Sequence, residues 1–240
     1  MCKADRMTSR AGLPLALALA GSLALTACSG GEKKVTDGKT PEEVLSAAAT
    51  TLNETSGVNL TLSTTNLPAG INGITKADGI ATNAPAFEGT ITVVISNQSV
   101  DVPVVGVDGI VYAMLPFTDG WQDVDPEEYG APDPGALISA DSGFPSLLGV
   151  TTGLEEGESV RGGADNTEVL TTFRGTVPGA AMKKVIPSST GETFDAEYLV
   201  SDDGELRQAM LTGVFYAKSA EMTYTVDFAD YGTNKDIVAP

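Results

Sequence analysis

Hydrophobic positions fall into two periodicities from Thr40 onward. Thr40-Pro41-Glu42-Glu43 opens the first: a threonine placed to cap, a proline at the first helical position and a glutamate three residues after the cap predict a capping-box helix start. Val44, Leu45, Ala48, Ala49 and Leu52 then recur on one stripe, and Gly57 stops the helix. Beyond it the period becomes two. "VNLTLSTT" (58–65) sets Val58, Leu60 and Leu62 against Asn59, Thr61 and Ser63, and "FEGTITVVIS" (87–96) aligns Phe87, Ile91, Val93 and Ile95. The runs QSVDVPVVGV, GIVYAML, EVLTTFRGTV, TFDAEYLVS, ELRQAMLTGVFY and AEMTYTVDF repeat the alternation. Asn97-Gln98, Asp108-Gly109, Gly162-Gly163 and Asp203-Gly204 are turn signals between strands, and such short connections predict antiparallel hairpins.

Two interruptions have helical character. Residues 125–153 place Pro126, Pro132 and Pro134 near short helix starts, with Leu137, Ile138, Leu147 and Leu148 as apolar contacts. Residues 178–186 put Met182, Val185 and Ile186 on one side of another short helix. The pattern predicts an α+β fold, one large antiparallel sheet with helices inserted between its strands. Eight or more strands with one apolar face need more cover than these helices supply. Curling the sheet around the helices solves this and can leave a lined hollow. Periodicity alone gives the sheet and leaves the cavity open, since Met114, Met182, Met210 and Met222 suit an adaptable binding surface and a filled core equally.

The first 27 residues read differently. Lys3, Arg6 and Arg10 precede the apolar run AGLPLALALAGSLALTA (11–27), which is too short to span a bilayer as a helix and is broken by Gly12, Pro14 and Gly21. A basic start, a short apolar run and small residues predict an export signal, with Met7 a second candidate start. Leu25-Thr26-Ala27-Cys28 resembles the lipobox of bacterial lipoproteins, in which the cysteine is acylated and becomes the new N-terminus. Cys2, the only other cysteine, falls in the removed segment, and a lone thiol in an exported protein is unusual because such cysteines normally pair. Two or three acyl chains on Cys28 hold a protein stably, where one chain holds only marginally. The expected organisation is a signal over 1–27, a flexible tether over 28–39 and a folded domain over 40–240, lipid-anchored to the outer face of the cell membrane.

Charge and residue types narrow the chemistry. The 240-residue chain carries a formal charge of −18, which becomes −20 once residues 1–27 take away three basic side chains and Asp5. Such a surface repels nucleic acid and bare anionic membrane, and most of its carboxylates keep the protein soluble. There is no histidine, so Ser-His-Asp and Cys-His mechanisms and His-ligated zinc are excluded. The acidic pairs Glu127-Glu128, Glu155-Glu156 and Asp202-Asp203 stand in turns or helix starts, where acidic residues serve structure, rather than as a glycosidase pair. No cofactor, metal or enzymatic activity is expected.

Several stretches together resemble the LppX/LprA/LprF/LprG family of actinobacterial lipoproteins over nearly the whole mature chain. They are the lipobox with Cys28, the helix from Pro41, "VDGIVYAML" (107–115) followed by Trp121, "APDPGALISADSGFPSLL", "TTFRGTVPG" and "YLVSDDGELRQAML". Tyr198 stands where the family pattern has tryptophan, and basic residues are fewer. The resemblance implies a half-barrel, a strongly bent antiparallel sheet wrapped over helices around a large apolar cavity, similar to periplasmic lipoprotein carriers. It implies cargo of multi-acylated lipids and glycolipids, including phosphatidylinositol mannosides, lipoarabinomannan or triacylglycerol, moved from the plasma membrane toward the outer envelope. A membrane transporter is a candidate partner, and a monomer is expected.

The expected lining residues are apolar and on inward-reading faces: Leu60, Leu62, Ile91, Val93, Val102, Val104, Tyr112, Met114, Leu147, Leu148, Phe173, Val185, Phe194, Tyr198, Met210 and Met222. Lys183 and Lys184 are candidates to meet a phosphate at the entrance, or else an ordinary solvated helix face. The competing reading is a surface lipoprotein with a filled core that binds a protein partner or serves a structural role.

Overall fold

The computed structural model describes residues 36, 38–163 and 165–240; the export signal, Cys28 and most of the expected tether lie outside them. Helix α1 (Pro41–Glu54) starts as its sequence dictates. The Thr40 hydroxyl accepts from the Glu43 N–H and the Glu43 carboxylate accepts from the Thr40 N–H at 2.9 Å, closing the capping box. Val44, Leu45, Ala48 and Leu52 are buried as the stripe predicts. The helix ends at Glu54 with Thr55 as its cap, two residues before Gly57, which already opens β1 (Gly57–Ser63).

Ten further strands follow: β2 (Gly73–Thr82), β3 (Ala86–Ile95), β4 (Gln98–Val107), β5 (Ile110–Ala113), β6 (Gln122–Val124), β7 (Thr152–Gly162), β8 (Glu168–Pro178), β9 (Thr193–Ser201), β10 (Leu206–Gly213) and β11 (Met222–Ala229). They form one antiparallel sheet in the order β6-β5-β4-β3-β2-β1-β11-β10-β9-β8-β7. β6 and β7 are free edges, so the curved sheet stays unclosed. Helices α2 (Phe144–Val150) and α3 (Gly179–Val185) join α1 on the concave face. Between β6 and α2 the chain makes two 3-10 turns, Pro126–Tyr129 and Pro134–Ala136, each opened by an aspartate capping a proline start.

Three strands escape the alternation rule. On β2 the inward positions are Ile74, Ala77, Gly79 and Ala81, too small to mark a face, because the Phe87 ring occupies the space above Gly79 and Gly89. A Cβ at Gly89 would stand 2.6 Å from that ring and 2.3 Å from the Asp78 carbonyl, so the close approach requires glycine. β7 is a charged edge strand with Glu155, Glu156 and Glu158 exposed, a composition that blocks pairing with another sheet edge. β6 has only three residues.

The interior divides in two. Under the helices, over β8 to β11 and β1, it is closed by large side chains. Phe194 and Phe215 meet at 4.9 Å, Phe215 and Tyr224 at 4.8 Å edge to face, and Phe144 and Phe228 at 5.8 Å edge to face. Toward β2 to β6 the helices give way to the loops on either side of β6, and the packing opens.

Candidate functional site

The opening is an apolar pocket of about 240 Å³. Its sheet wall carries Ile91 and Val93 from β3, Val102 and Val104 from β4, and Val111, Ala113 and Val124 from β5 and β6. Pairing explains why these side chains converge: Ile91 lies opposite Val102 and Val104 opposite Ala113, so the inward rows of neighbouring strands align. Leu115, Pro116, Pro126, Tyr129, Pro132 and Pro134 cover it from the other side. Proline suits this cover because it carries no N–H to leave unpaired against an apolar wall.

One polar device reaches the pocket. β2 has a register shift between Ile74 and Lys76, which leaves Thr75 without a register partner on β3 and Ile74 just before the bulge. Tyr216, on the pocket wall, accepts the Ile74 N–H at 3.1 Å; Tyr224 donates to the Ile74 carbonyl at 2.7 Å; the two hydroxyls meet at 2.8 Å. These peptide groups are thus satisfied inside the protein and make no polar demand on the pocket. Burial, reinforced by Tyr216, holds the Tyr224 phenol far above its ordinary value.

The expected lining residues separate into three groups. Ile91, Val93, Val102 and Val104 border the pocket. Leu60, Leu62, Phe173, Phe194, Tyr198 and Met222 on the sheet, with Leu147, Leu148 and Val185 on the helices, are buried in the closed half and border no opening. Tyr198 is among the largest of these fully buried side chains: its hydroxyl meets that of Thr151 at 2.9 Å, and burial pushes its ionisation up to about 12.

Three residues face elsewhere. Tyr112 lies on the convex face with Trp121, Val105 and Ile237, because β5 turns Val111 and Ala113 inward. Met114 follows the end of β5 and is 41% exposed. Met210 points outward because the register shift between Leu206 and Gln208 reverses the alternation, turning Ala209 and Leu211 inward. Lys183 and Lys184 are exposed on α3 and neither borders the pocket; Lys184 borders a groove between α1 and α2 instead.

The pocket also uses residues that strand alternation did not single out. Tyr216 comes from the β10–β11 loop, while Tyr129, Pro132 and Pro134 come from a segment read as helical. Their signal, an apolar proline-rich stretch with only short 3-10 turns, was present but pointed to no face.

Larger hollows lie at the surface, and two of them, about 680 and 800 Å³, are open grooves on the convex face. Their walls carry Asp78, Glu88 and Lys235 in one and Arg161, Glu168, Glu205 and Arg207 in the other. Most of these charges pair with one another, Lys235 with Glu88 at 3.0 Å, and Arg207 with Glu168 at 2.8 Å and Glu205 at 2.9 Å, while Asp78 accepts from the Thr61 hydroxyl and Arg161 donates to the Thr167 carbonyl. They present satisfied surface rather than an apolar site. Among the described residues no cluster of three or more His, Cys, Asp or Glu could hold a metal ion, and no helix is long and apolar enough to cross a membrane.

Residues 40–238 match the family model described as LppX_LprAFG lipoprotein. The fold is similar to that of LprF from Mycobacterium bovis, with a TM-score of 0.65, 15% identity, and 83% of this chain and 96% of that one covered. It is also similar to the Mycobacterium tuberculosis lipoprotein LppX, with a TM-score of 0.59, 17% identity, and 82% and 98% covered. No curated protein matches the chain.

Proposed function

Because the chain belongs to the LppX_LprAFG lipoprotein family, we propose that it is an exported, membrane-anchored carrier that holds the acyl part of a lipid or glycolipid in its rim pocket. In this reading Cys28 carries the anchor, the cargo headgroup stays outside, and transport runs from the plasma membrane toward the outer envelope. The observation that carries it is the pocket itself: an apolar hollow in an otherwise filled interior, with the Ile74 peptide groups beside it satisfied by a tyrosine pair.

Size sets what the pocket holds. Taking roughly 30 Å³ per methylene, a water's share of liquid volume, 240 Å³ takes about eight groups. At about 0.8 kcal/mol each, they supply about 6 kcal/mol of transfer free energy. The pocket therefore grips one chain segment, and a multi-acylated cargo requires the 126–136 part of the cover, beyond β6, to lift. Its two 3-10 turns are closed by local hydrogen bonds such as Gly130 N–H to Glu127 carbonyl at 3.0 Å, and lifting it breaks the bond from Ser188 N–H to the Gly130 carbonyl at 3.2 Å.

The test is transfer of a fluorescent diacyl phospholipid from donor to acceptor vesicles. Acceleration in proportion to added protein is expected; no uptake by folded protein would favour the second reading, a surface lipoprotein that binds a protein partner. The closed aromatic half of the interior is the observation on that side.

A further inference from the structure

We propose that the pocket-bearing rim of the sheet docks against the lipid bilayer, with Phe117 and Tyr129 entering its interfacial layer. This rests on the reading that Cys28 is acylated.

The register defines the rim. The end of β1, the start of β2, the β3–β4 hairpin, the end of β10 and the start of β11 all lie at one end of the sheet, because Ser63 pairs with Lys76 and Thr225, and Gly73 with Val94. The pocket opens there, between Ile95, Gly73 and the cover segment. The rim shows large apolar side chains to solvent: Phe117 is fully exposed, Tyr129 is 65% exposed and Ile95 48%. Single exposed apolar residues are ordinary; three around one apolar mouth are not.

Phe117 adds a second observation. Its φ is +66°, a left-handed conformation that bulky residues rarely adopt. The turn that holds it is closed by the Thr118 hydroxyl donating to the Leu115 carbonyl at 2.9 Å, and it aims the ring outward instead of onto the pocket beside it.

The chain's path supplies the occupant. α1 ends at the opposite rim, where β1 begins three residues later, and its buried stripe lies on the concave face. Ala140, just before α2, donates to Asn53 at the end of α1 at 2.9 Å; α2 then runs to Val150, and β7 starts at Thr152 on the pocket side. α1 thus begins toward the pocket rim, and residues 28–40 span at most roughly 40 Å from Cys28. A membrane that holds Cys28 is within reach of this rim. Asp119, Glu127 and Glu128 on the same segments make a neutral lipid surface the better match.

Brominated phosphatidylcholine vesicles test this with the acylated mature protein, which begins at Cys28. The Phe117→Trp variant should show emission quenched several-fold more than that of the wild type, whose single Trp121 sets the background, and a Val160→Trp variant on the exposed edge strand should match the background. Equal emission from Phe117→Trp and Val160→Trp would overturn the proposal. Mass analysis of the N-terminal peptide reports the anchor separately. Intact quenching with failed lipid transfer would refute the carrier reading and leave the docking face standing.

Discussion

Filling the pocket from within separates a hollow that binds from one that merely exists. Val93 lies on its wall, half-buried, opposite Ile74 on one side and Val100 on the other. Val93→Trp adds seven heavy atoms, the volume of roughly three methylenes in a close-packed interior. If an acyl chain occupies the same space, the variant forfeits about three of eight groups, or about 2.4 kcal/mol at about 0.8 kcal/mol each. That corresponds to roughly 60-fold weaker binding of a fluorescent acyl probe. Stability moves independently. A ring entering real space leaves thermal unfolding near the wild-type midpoint, whereas a ring forced into a close-packed wall costs about 1–3 kcal/mol, several degrees for a domain of this size. Titration with the acyl probe and calorimetry on the same preparation read both quantities. Unchanged probe affinity in a folded variant would refute the reasoning, and so would a large fall in midpoint without loss of affinity.

Other outcomes follow from single sites. Tyr198 has its ionisation raised by burial from 10 to about 12, so its contribution to stability is complete below pH 10 and is lost as pH rises from 10 to about 12. Tyr198→Phe should therefore lose less stability over that window, its slope shallower by about 1.4 kcal/mol per pH unit, as chemical unfolding at successive pH values measures. Tyr224→Phe leaves the Ile74 carbonyl without its donor and should cost about 1–3 kcal/mol in chemical denaturation. Gly89→Val should destabilise by more than about 3 kcal/mol, since its Cβ would press on both the Phe87 ring and the Asp78 carbonyl; a smaller loss would show that the ring can move aside. Cys28→Ser should shift the protein from membrane to soluble fractions, and retention in the membrane would contradict the acyl anchor.

Much of the fold was legible because one face of the sheet is apolar and one is wet. Strands such as β9 and β11 alternate along most of their length, and the α1 capping box announced its own start. What escaped has physical causes. β2 hides its inward face because Phe87 fills the volume that its own side chains would otherwise take, and β7 buries neither face well. Met210 misled because a bulge inverts the alternation, and Tyr112 because the convex face has its own apolar patch with Trp121 and Ile237.

The pocket was half legible. Ile91, Val93, Val102 and Val104 follow from alternation, but inward direction does not distinguish a residue against a hollow from one against a phenylalanine. Leu60, Phe173 and Tyr198 point inward with the same periodicity and meet a filled core. That difference depends on how α1, α2 and α3 distribute over the sheet, which no strand encodes by itself.

The most direct measurement is mass spectrometry of organic extracts from the protein purified from its native host, beside the Val93→Trp variant prepared identically. The account predicts an acylated lipid in near-stoichiometric amount with the wild type and a strongly reduced amount with the variant. Extracts free of lipid from both, with the fold intact, would contradict it.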